Sequence, residues 1–240
     1  MKKILVTGGS GHLGNELCNY LISKSYQVYS LDKELSSSQI DGRINIQVDL
    51  SNVEKLIDSL KLIKDGIDGV INNAAFYDNV PGCHVNFEEE SLDAWSSVFR
   101  VNLFAPFLII QTLFKMGRLS KNASIVNIAS IYGSVAPNPS LYVDLEMTNP
   151  ASYGCSKASL IYLTKWLSAR IAPIRVNCVS PGGIERGQNP IFKKRYLERT
   201  PLKRLAIEQD IVGIVAFLLE DESSYITGQN FNIDGGFSVF

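Results

Sequence analysis

Short apolar runs alternate with longer amphipathic stretches from one end of the chain to the other. The runs at 3–7, 27–31, 44–48, 68–72, 123–129, 174–179 and 229–233 are rich in Ile, Val and Leu. They are continuous rather than alternating, the pattern of strands covered on both faces. Helix candidates fall between them, near 12–23, 52–64, 91–116, 151–170 and 208–219. Ser51-x-x-Glu54 reads as a capping box opening 52–64, with two side chains satisfying backbone donors of the first turn. Repeated strand–helix order predicts right-handed crossovers and a parallel sheet. The expected fold is α/β, a Rossmann-type doubly wound sheet of about seven strands with helices on both faces, which binds ligands at the carboxyl ends of its strands. No Pro- or Ser-rich linker, repeat or low-complexity segment interrupts the chain, so one domain spanning 1–240 is expected.

Composition narrows the function classes. The formal charge is −1, without the basic excess of a nucleic-acid binder. Met1-Lys2-Lys3 leads into an apolar run too short for a signal peptide or a membrane span. Cys18, Cys83, Cys155 and Cys178 are scattered, with no CxxC pair, which suits reduced thiols in a cytoplasmic protein. His12 and His84 have no metal-ligand spacing, and adjacent Cys83-His84 are awkward for chelating one ion, so no metal is expected.

Thr7-Gly8-Gly9-Ser10-Gly11-His12-Leu13-Gly14 joins the first strand to the first helix. A backbone that turns sharply and approaches a pyrophosphate closely needs glycine, and the helix N-terminus then offers N–H groups and a positive dipole end. Gly9, Gly11 and Gly14 fit G-x-G-x-x-G, a weak signal alone and a stronger one in this position. Asp32 follows 18 residues after Gly14 at the end of the second strand, where an acid accepts ribose hydroxyls and repels a 2′-phosphate. NAD is therefore expected in preference to NADP.

Tyr153 and Lys157 are spaced i, i+4 on one helical face. A phenol titrates at about 10, and a neighbouring ammonium favours its anion. Y-x-x-x-K also occurs at Tyr20/Lys24 and Tyr29/Lys33, so context must choose. Tyr29 and Lys33 straddle a strand, where four residues span roughly 13 Å. Tyr20 and Lys24 close the first helix, at the end far from the glycine turn. Only Tyr153/Lys157 opens a helix after a strand ending in a candidate hydroxyl, Ser130, which could hydrogen-bond a substrate oxygen.

With these elements in place, the whole chain resembles the short-chain dehydrogenase/reductase family. Asn72-Asn73-Ala74-Ala75 resembles the element that shapes the cofactor floor, and Asp49, followed by Leu50, stands where the family contacts adenine. Asn102 resembles the asparagine that supports a proton relay. Val126-Asn-Ile-Ala-Ser130 resembles the strand carrying the catalytic serine, and Arg175 to Ile184 the segment beside the nicotinamide. Asp234-Gly235-Gly236 resembles the usual ending. The resemblance implies catalysis by Asn102, Ser130, Tyr153 and Lys157. It implies cofactor contacts from Gly8, Ser10, Gly11, His12, Leu13, Asp32, Asp49, Leu50, Asn73, Ala74, Ala75, Tyr153, Lys157, Pro181, Gly182, Gly183 and Ile184.

The departures from the family matter too. His12 replaces a glycine usual in short members, and either covers the loop or touches phosphate. Arg186 stands where a threonine often contacts the cofactor, and the Ser130–Tyr153 separation is lengthened by the segment Pro137 to Pro150. From Ile128 onward the chain resembles oxidoreductases of sialic-acid-like sugars and flagellin modification. That resemblance implies hydride transfer between nicotinamide and a hydroxyl or carbonyl of an amino-sugar or nucleotide-sugar derivative. Substrate contacts are expected from Tyr77, His84, Tyr142, Glu146 and Arg186, in a polar surround that also includes Asp78, Asn79, Asn86 and Asp144. A 3-oxoacyl thioester reductase and a non-catalytic dinucleotide-binding regulator remain the rivals. The basic stretch Lys193, Lys194, Arg195, Arg199, Lys203 and Arg204 is open to a carrier's acidic surface, to phosphates or to solvent. Family helices that pair between subunits carry Phe107, Leu108, Leu113, Leu160, Leu163, Trp166 and Leu167 here, which implies a homodimer or homotetramer.

Overall fold

Successive side chains of a buried strand face opposite ways, so a continuous apolar run must be covered on both sides. The computed structural model, which describes residues 1–35, 41–76, 87–145 and 147–239, meets that requirement in the inner strands, whereas the two edge strands, Arg43–Gln47 and Asn230–Ile233, are only partly covered and leave Ile44 exposed. Among the described residues the strands are β1 (Lys3–Thr7), β2 (Gln27–Asp32), β3 (Arg43–Gln47), β4 (Ile67–Asn72), β5 (Leu119–Ile128), β6 (Arg175–Pro181) and β7 (Asn230–Ile233). They pair in parallel in the order β3-β2-β1-β4-β5-β6-β7. The helices are α1 (His12–Ser23), α2 (Val53–Leu62), α3 (Leu92–Phe99), α4 (Ala105–Lys115), α5 (Ala151–Arg170), α6 (Pro190–Arg199) and α7 (Glu208–Leu219). Ile4 and Val6 of β1 pack with Leu17 and Leu21 of α1 and Val215 and Leu218 of α7. Leu5, between them, faces the opposite layer with Leu60 of α2, Ile109 of α4 and Leu167 of α5. The strand order reverses between β1 and β4, and the loops leaving those two strands diverge around a crevice.

Four expectations change. The cap of α2 is Asn52, whose Oδ1 accepts from Lys55 N at 3.0 Å, while Ser51 Oγ donates to Asp49 Oδ1 at 2.7 Å. The continuous helix expected over 91–116 is α3 and α4 joined by a π-helical stretch, Arg100–Phe104. Helix α6 was hidden because Pro190–Arg199 is dominated by charge, and only Phe192 and Tyr196 are buried. Leu113, Leu160 and Leu167 are unavailable to a second subunit, because each is buried in the chain's own core. Trp166 stays exposed, as do Tyr162 on α5, Phe114 on α4 and Phe104 at the end of the π-helical stretch.

The run Leu92–Lys115 is long and apolar enough to cross a membrane by length and composition alone. Its Val98, Ile109, Ile110 and Leu113 are buried against the rest of the chain, whereas Leu92, Phe104 and Phe114 are exposed.

Candidate active site

β1 delivers the chain into the glycine loop at Thr7. Gly8 has φ +66°, and a Cβ there would lie 2.8 Å from Ala74 Cα. A Cβ on Gly14 would meet Gly8 O at 1.9 Å, and one on Gly9 would meet Ser30 Oγ at 2.2 Å. Gly11 is different, since its closest neighbour would be 3.4 Å away. The packing therefore demands glycine at 8, 9 and 14 more strongly than at 11. Thr7 Oγ1 accepts from Asn73 N at 3.0 Å and Ala74 N at 3.1 Å. Asn73 Nδ2 returns bonds to Thr7 O at 3.1 Å and Gly8 O at 3.2 Å, so the two sides of the crevice are laced together. Asp32, ending β2, accepts from Ser10 N at 2.8 Å and Glu34 N at 3.2 Å. No side chain caps α1, which leaves its first-turn N–H groups and positive dipole end to an anion.

Across the crevice, β5 ends at Ile128 and Ser130 follows two residues later, its Oγ accepting from Tyr132 N at 3.2 Å. The short turn Ile131–Gly133 rests directly on α5, where a Cβ on Gly133 would lie 2.8 Å from Ala158 N. Lys157 is 1% exposed, and its Nζ donates to Ile128 O at 2.8 Å. The same Nζ is 5.7 Å from the Tyr153 ring centroid. Burial pulls the Lys157 ammonium down from 10.5 to about 8. Burial also drives the Cys178 thiol up to about 12, so it stays neutral beside Lys157.

Asn102 is fully buried in the π-helical stretch and lies outside the crevice wall. Its Oδ1 accepts from Phe76 N at 2.7 Å, and its Nδ2 donates to Phe76 O at 3.1 Å and Ser156 Oγ at 3.0 Å. Ser156 Oγ in turn donates to Tyr153 O at 2.7 Å. The Asn102 side chain therefore ties the segment after β4 to the turn of α5 that carries Tyr153. The other two Tyr/Lys pairs are spoken for elsewhere. Lys24 sits over Tyr20 at 5.6 Å, and Tyr29 donates to the Asp65 carboxylate.

These elements line one cleft of about 1310 Å³. Gly8, Ser10, Gly11, His12, Leu13, Asp32, Asp49, Leu50, Asn73, Ala74 and Ala75 form one end. Ser130, Tyr153, Lys157, Pro181, Gly182, Gly183 and Ile184 continue it. Tyr142 and Arg186 also face the cleft, with Arg186 Nη1 paired to Glu208 Oε1 at 2.6 Å. Tyr77, Asp78, Asn79, His84, Asn86 and Glu146 lie outside the described residues. The sequence reading missed Tyr132, Thr148, Asn149, Gln188, Phe192 and Tyr196, all of which line the cleft. Tyr196 OH accepts from Gly183 N at 2.7 Å, fixing the cleft wall from α6. The signal for α6 was Asn189-Pro190, since Asn189 caps the helix through Ile191 N at 2.8 Å and proline suits a first helical position.

Much of the basic stretch is held by the protein itself. Lys193 pairs with Glu185, Arg195 Nη1 donates to Val143 O at 2.6 Å, and Arg204 grips Asp210 at 2.5 and 2.8 Å. Among the described residues, no three His, Cys, Asp or Glu side chains gather as a metal site would require.

Residues 18–238 match the family model described as Enoyl-(Acyl carrier protein) reductase. The chain is 34% identical over 257 residues to L-xylulose reductase of Caenorhabditis elegans, covering 99% of this chain and 96% of that protein. It is 27% identical over 253 residues to post-translational flagellin modification protein A of Campylobacter coli, covering 99% and 98%. A crystal structure of a short chain dehydrogenase from Leptospira borgpetersenii with bound NAD+ superposes with a TM-score of 0.87 at 35% identity, covering 99% of this chain and 92% of that one.

Proposed function

Because the chain belongs to the short-chain dehydrogenase/reductase family, oxidoreductases acting on CH–OH and carbonyl groups, we propose that it transfers a hydride between NAD and a polar, sugar-derived substrate, with Tyr153 handling the proton. The observation that carries this reading is one cleft lined at one end by the glycine loop and Asp32 and farther along by Ser130, Tyr153 and Lys157.

The cleft fits a dinucleotide. Side chains at Gly8 and Gly14 would collide with backbone, and the uncapped start of α1 offers N–H groups to a pyrophosphate. Among the described residues, Asp32 uses one lone pair of each oxygen on backbone N–H groups, which leaves acceptors for ribose hydroxyls. A 2′-phosphate would face that carboxylate at close range, so NAD is favoured over NADP. When bound, the nicotinamide supplies or accepts the hydride. Tyr153 Oη gives up or takes the hydroxyl proton, and Ser130 Oγ orients the substrate oxygen by hydrogen bonding. The Lys157 ammonium stabilises a Tyr153 phenolate. Asn102, acting through Phe76 and Ser156, positions the helix that carries both.

Polar groups close to Tyr153 support a polyol. Tyr142, Thr148, Asn149 and Gln188 face the cleft. Among the described residues, Thr148 Oγ1 and Asn149 Oδ1 are buried with no hydrogen-bond partner. Such orphaned atoms cost about 1–3 kcal/mol each, and a small rotation towards a substrate hydroxyl removes that penalty. An acyl thioester has no comparable donors along its chain. It remains the second reading because the matching family model bears the name of an acyl-carrier-protein reductase. The decisive experiment titrates NADH and NADPH, then compares turnover of nucleotide-linked amino sugars, free sugars and 3-oxoacyl thioesters. Tighter NADH binding and turnover of a sugar are expected. Turnover of the thioester alone would replace the sugar reading, and no turnover of any alcohol or carbonyl would favour a binding protein.

Self-association through α4 and α5 belongs to the same proposal. Phe104, Phe114, Tyr162 and Trp166 each expose aromatic surface, on these helices and in the π-helical stretch before α4, that a subunit contact would cover. Light scattering at micromolar concentration should give a dimer or tetramer, and Trp166→Glu with Tyr162→Glu should shift it towards monomer. A wild-type monomer would remove this element.

A further inference from the structure

A buried charge needs partners, and Arg43 has an unusual set. It is the first residue of β3, pairs with Val28 of β2, and is 8% exposed. Among the described residues it forms no salt bridge. Its guanidinium instead reaches four neutral acceptors: Asn45 Oδ1 at 2.9 Å from Nε, Asn15 Oδ1 at 2.9 Å from Nη1, and Gly9 O at 2.8 Å and Ser30 Oγ at 3.1 Å from Nη2. Desolvating a guanidinium without a contacting carboxylate is costly, so its charge must be balanced at longer range.

The Gly9 carbonyl shows how. Gly9 C=O and Ser10 N–H belong to one planar peptide and point in opposite directions. The carbonyl accepts from Arg43, and the N–H donates to Asp32 Oδ2 at 2.8 Å. A single peptide is thus suspended between a cation and an anion, its dipole aligned favourably with both. Glycine at 9 permits the approach, since a Cβ there would be 3.3 Å from Arg43 Nη2 and closer still to Ser30 Oγ. Through Asn15 the same guanidinium also holds the first turn of α1.

We propose that Arg43 is a positioning residue for the dinucleotide site, holding the glycine loop and the Asp32 carboxylate in register through the Gly9–Ser10 peptide. This rests on the reading of the cleft as a nicotinamide-dinucleotide site. Lysine cannot replace it fully, because one ammonium on a flexible stem lacks the planar fork that spans the divergent acceptors.

The test is a double-mutant cycle read by NADH fluorescence titration on the wild type, Arg43→Met, Asp32→Asn and their combination, with Arg43→Lys alongside. Arg43→Met should weaken NADH binding about tenfold or more, Arg43→Lys should recover part of the loss, and Asp32→Asn should cost far less in the Arg43→Met background than alone. A merely stabilising arginine would lower the melting temperature while the two substitutions multiplied independently. Wild-type NADH affinity in a folded Arg43→Met protein, or independent effects, overturns the inference and leaves the cofactor reading intact. Should Arg43→Met fail to fold, normal affinity in Arg43→Lys has the same consequence. A wild type that binds neither NADH nor NADPH overturns the cofactor reading, and this inference with it.

Discussion

Tyr153→Phe is expected to lose turnover by about a hundredfold or more while binding NADH with nearly wild-type affinity, the loss typical of removing a general acid–base group. Phenylalanine keeps the ring that lies 5.7 Å from Lys157 Nζ, and with it the packing at the start of α5. What disappears is the Oη proposed to exchange a proton with the substrate. The surroundings remain: Ser156 Oγ still donates to the backbone carbonyl of residue 153, and Lys157 still donates to Ile128 O. A defect confined to turnover therefore separates chemistry from architecture. Steady-state rates at saturating NADH or NAD, paired with a fluorescence titration, make the measurement. Near-normal turnover in the variant would reduce Tyr153 to a packing residue.

Gly14→Ala should abolish dinucleotide binding, whereas Gly11→Ala should leave it within a few-fold of wild type. The two glycines look equivalent in the G-x-G-x-x-G pattern, and the structure separates them. A methyl at 14 would lie 1.9 Å from the Gly8 carbonyl and 2.8 Å from Asn73 Nδ2. Both are parts of the lacing across the crevice, so α1 must back away from the loop. Overpacking of this kind costs about 1–3 kcal/mol even where side chains can yield, and here the obstacle is backbone. Among the described residues, a methyl at 11 meets only Gly8 O, at 3.4 Å, an ordinary contact. Titration of both variants with NADH, with melting curves as the folding control, tests the contrast. Equal losses in the two would mean that the ligand, rather than the loop packing, demands glycine at 11.

The fold was legible because its determinants are local and repetitive. The continuous run Ile4-Leu5-Val6 already implied cover on both faces, and Leu5 and its two neighbours do pack into opposite layers. The glycine loop, Asp32, Ser130 and Tyr153/Lys157 were readable because each stands at a strand end or helix start, positions that a doubly wound sheet brings to one edge. Local reading failed where side chains answer to distant partners. Spacing alone points to Ser51 as a cap, but its hydroxyl turns to Asp49 and Asn52 caps the helix. Helix α6 was obscured because Phe192 and Tyr196 are its buried contacts in a run of charge, and their neighbours, Tyr142 and Phe237, come from elsewhere in the chain. The apolar residues of α4 and α5 could be counted from sequence, while the division between core and exposed face could not.

What the sequence alone determined is which chemical groups stand at the strand ends and helix starts. Which glycine is most tightly packed, why Asn102 is buried, and what Arg43 contacts were decided only by tertiary structure. Each answer depends on atoms far apart in the chain: Gly14 against Asn73, Asn102 against Phe76 and Ser156, Arg43 against Gly9. Periodicity and spacing report on neighbours within a turn or a strand. Contacts between strands and their loops are set by register and crossover, which exist only once the sheet has formed.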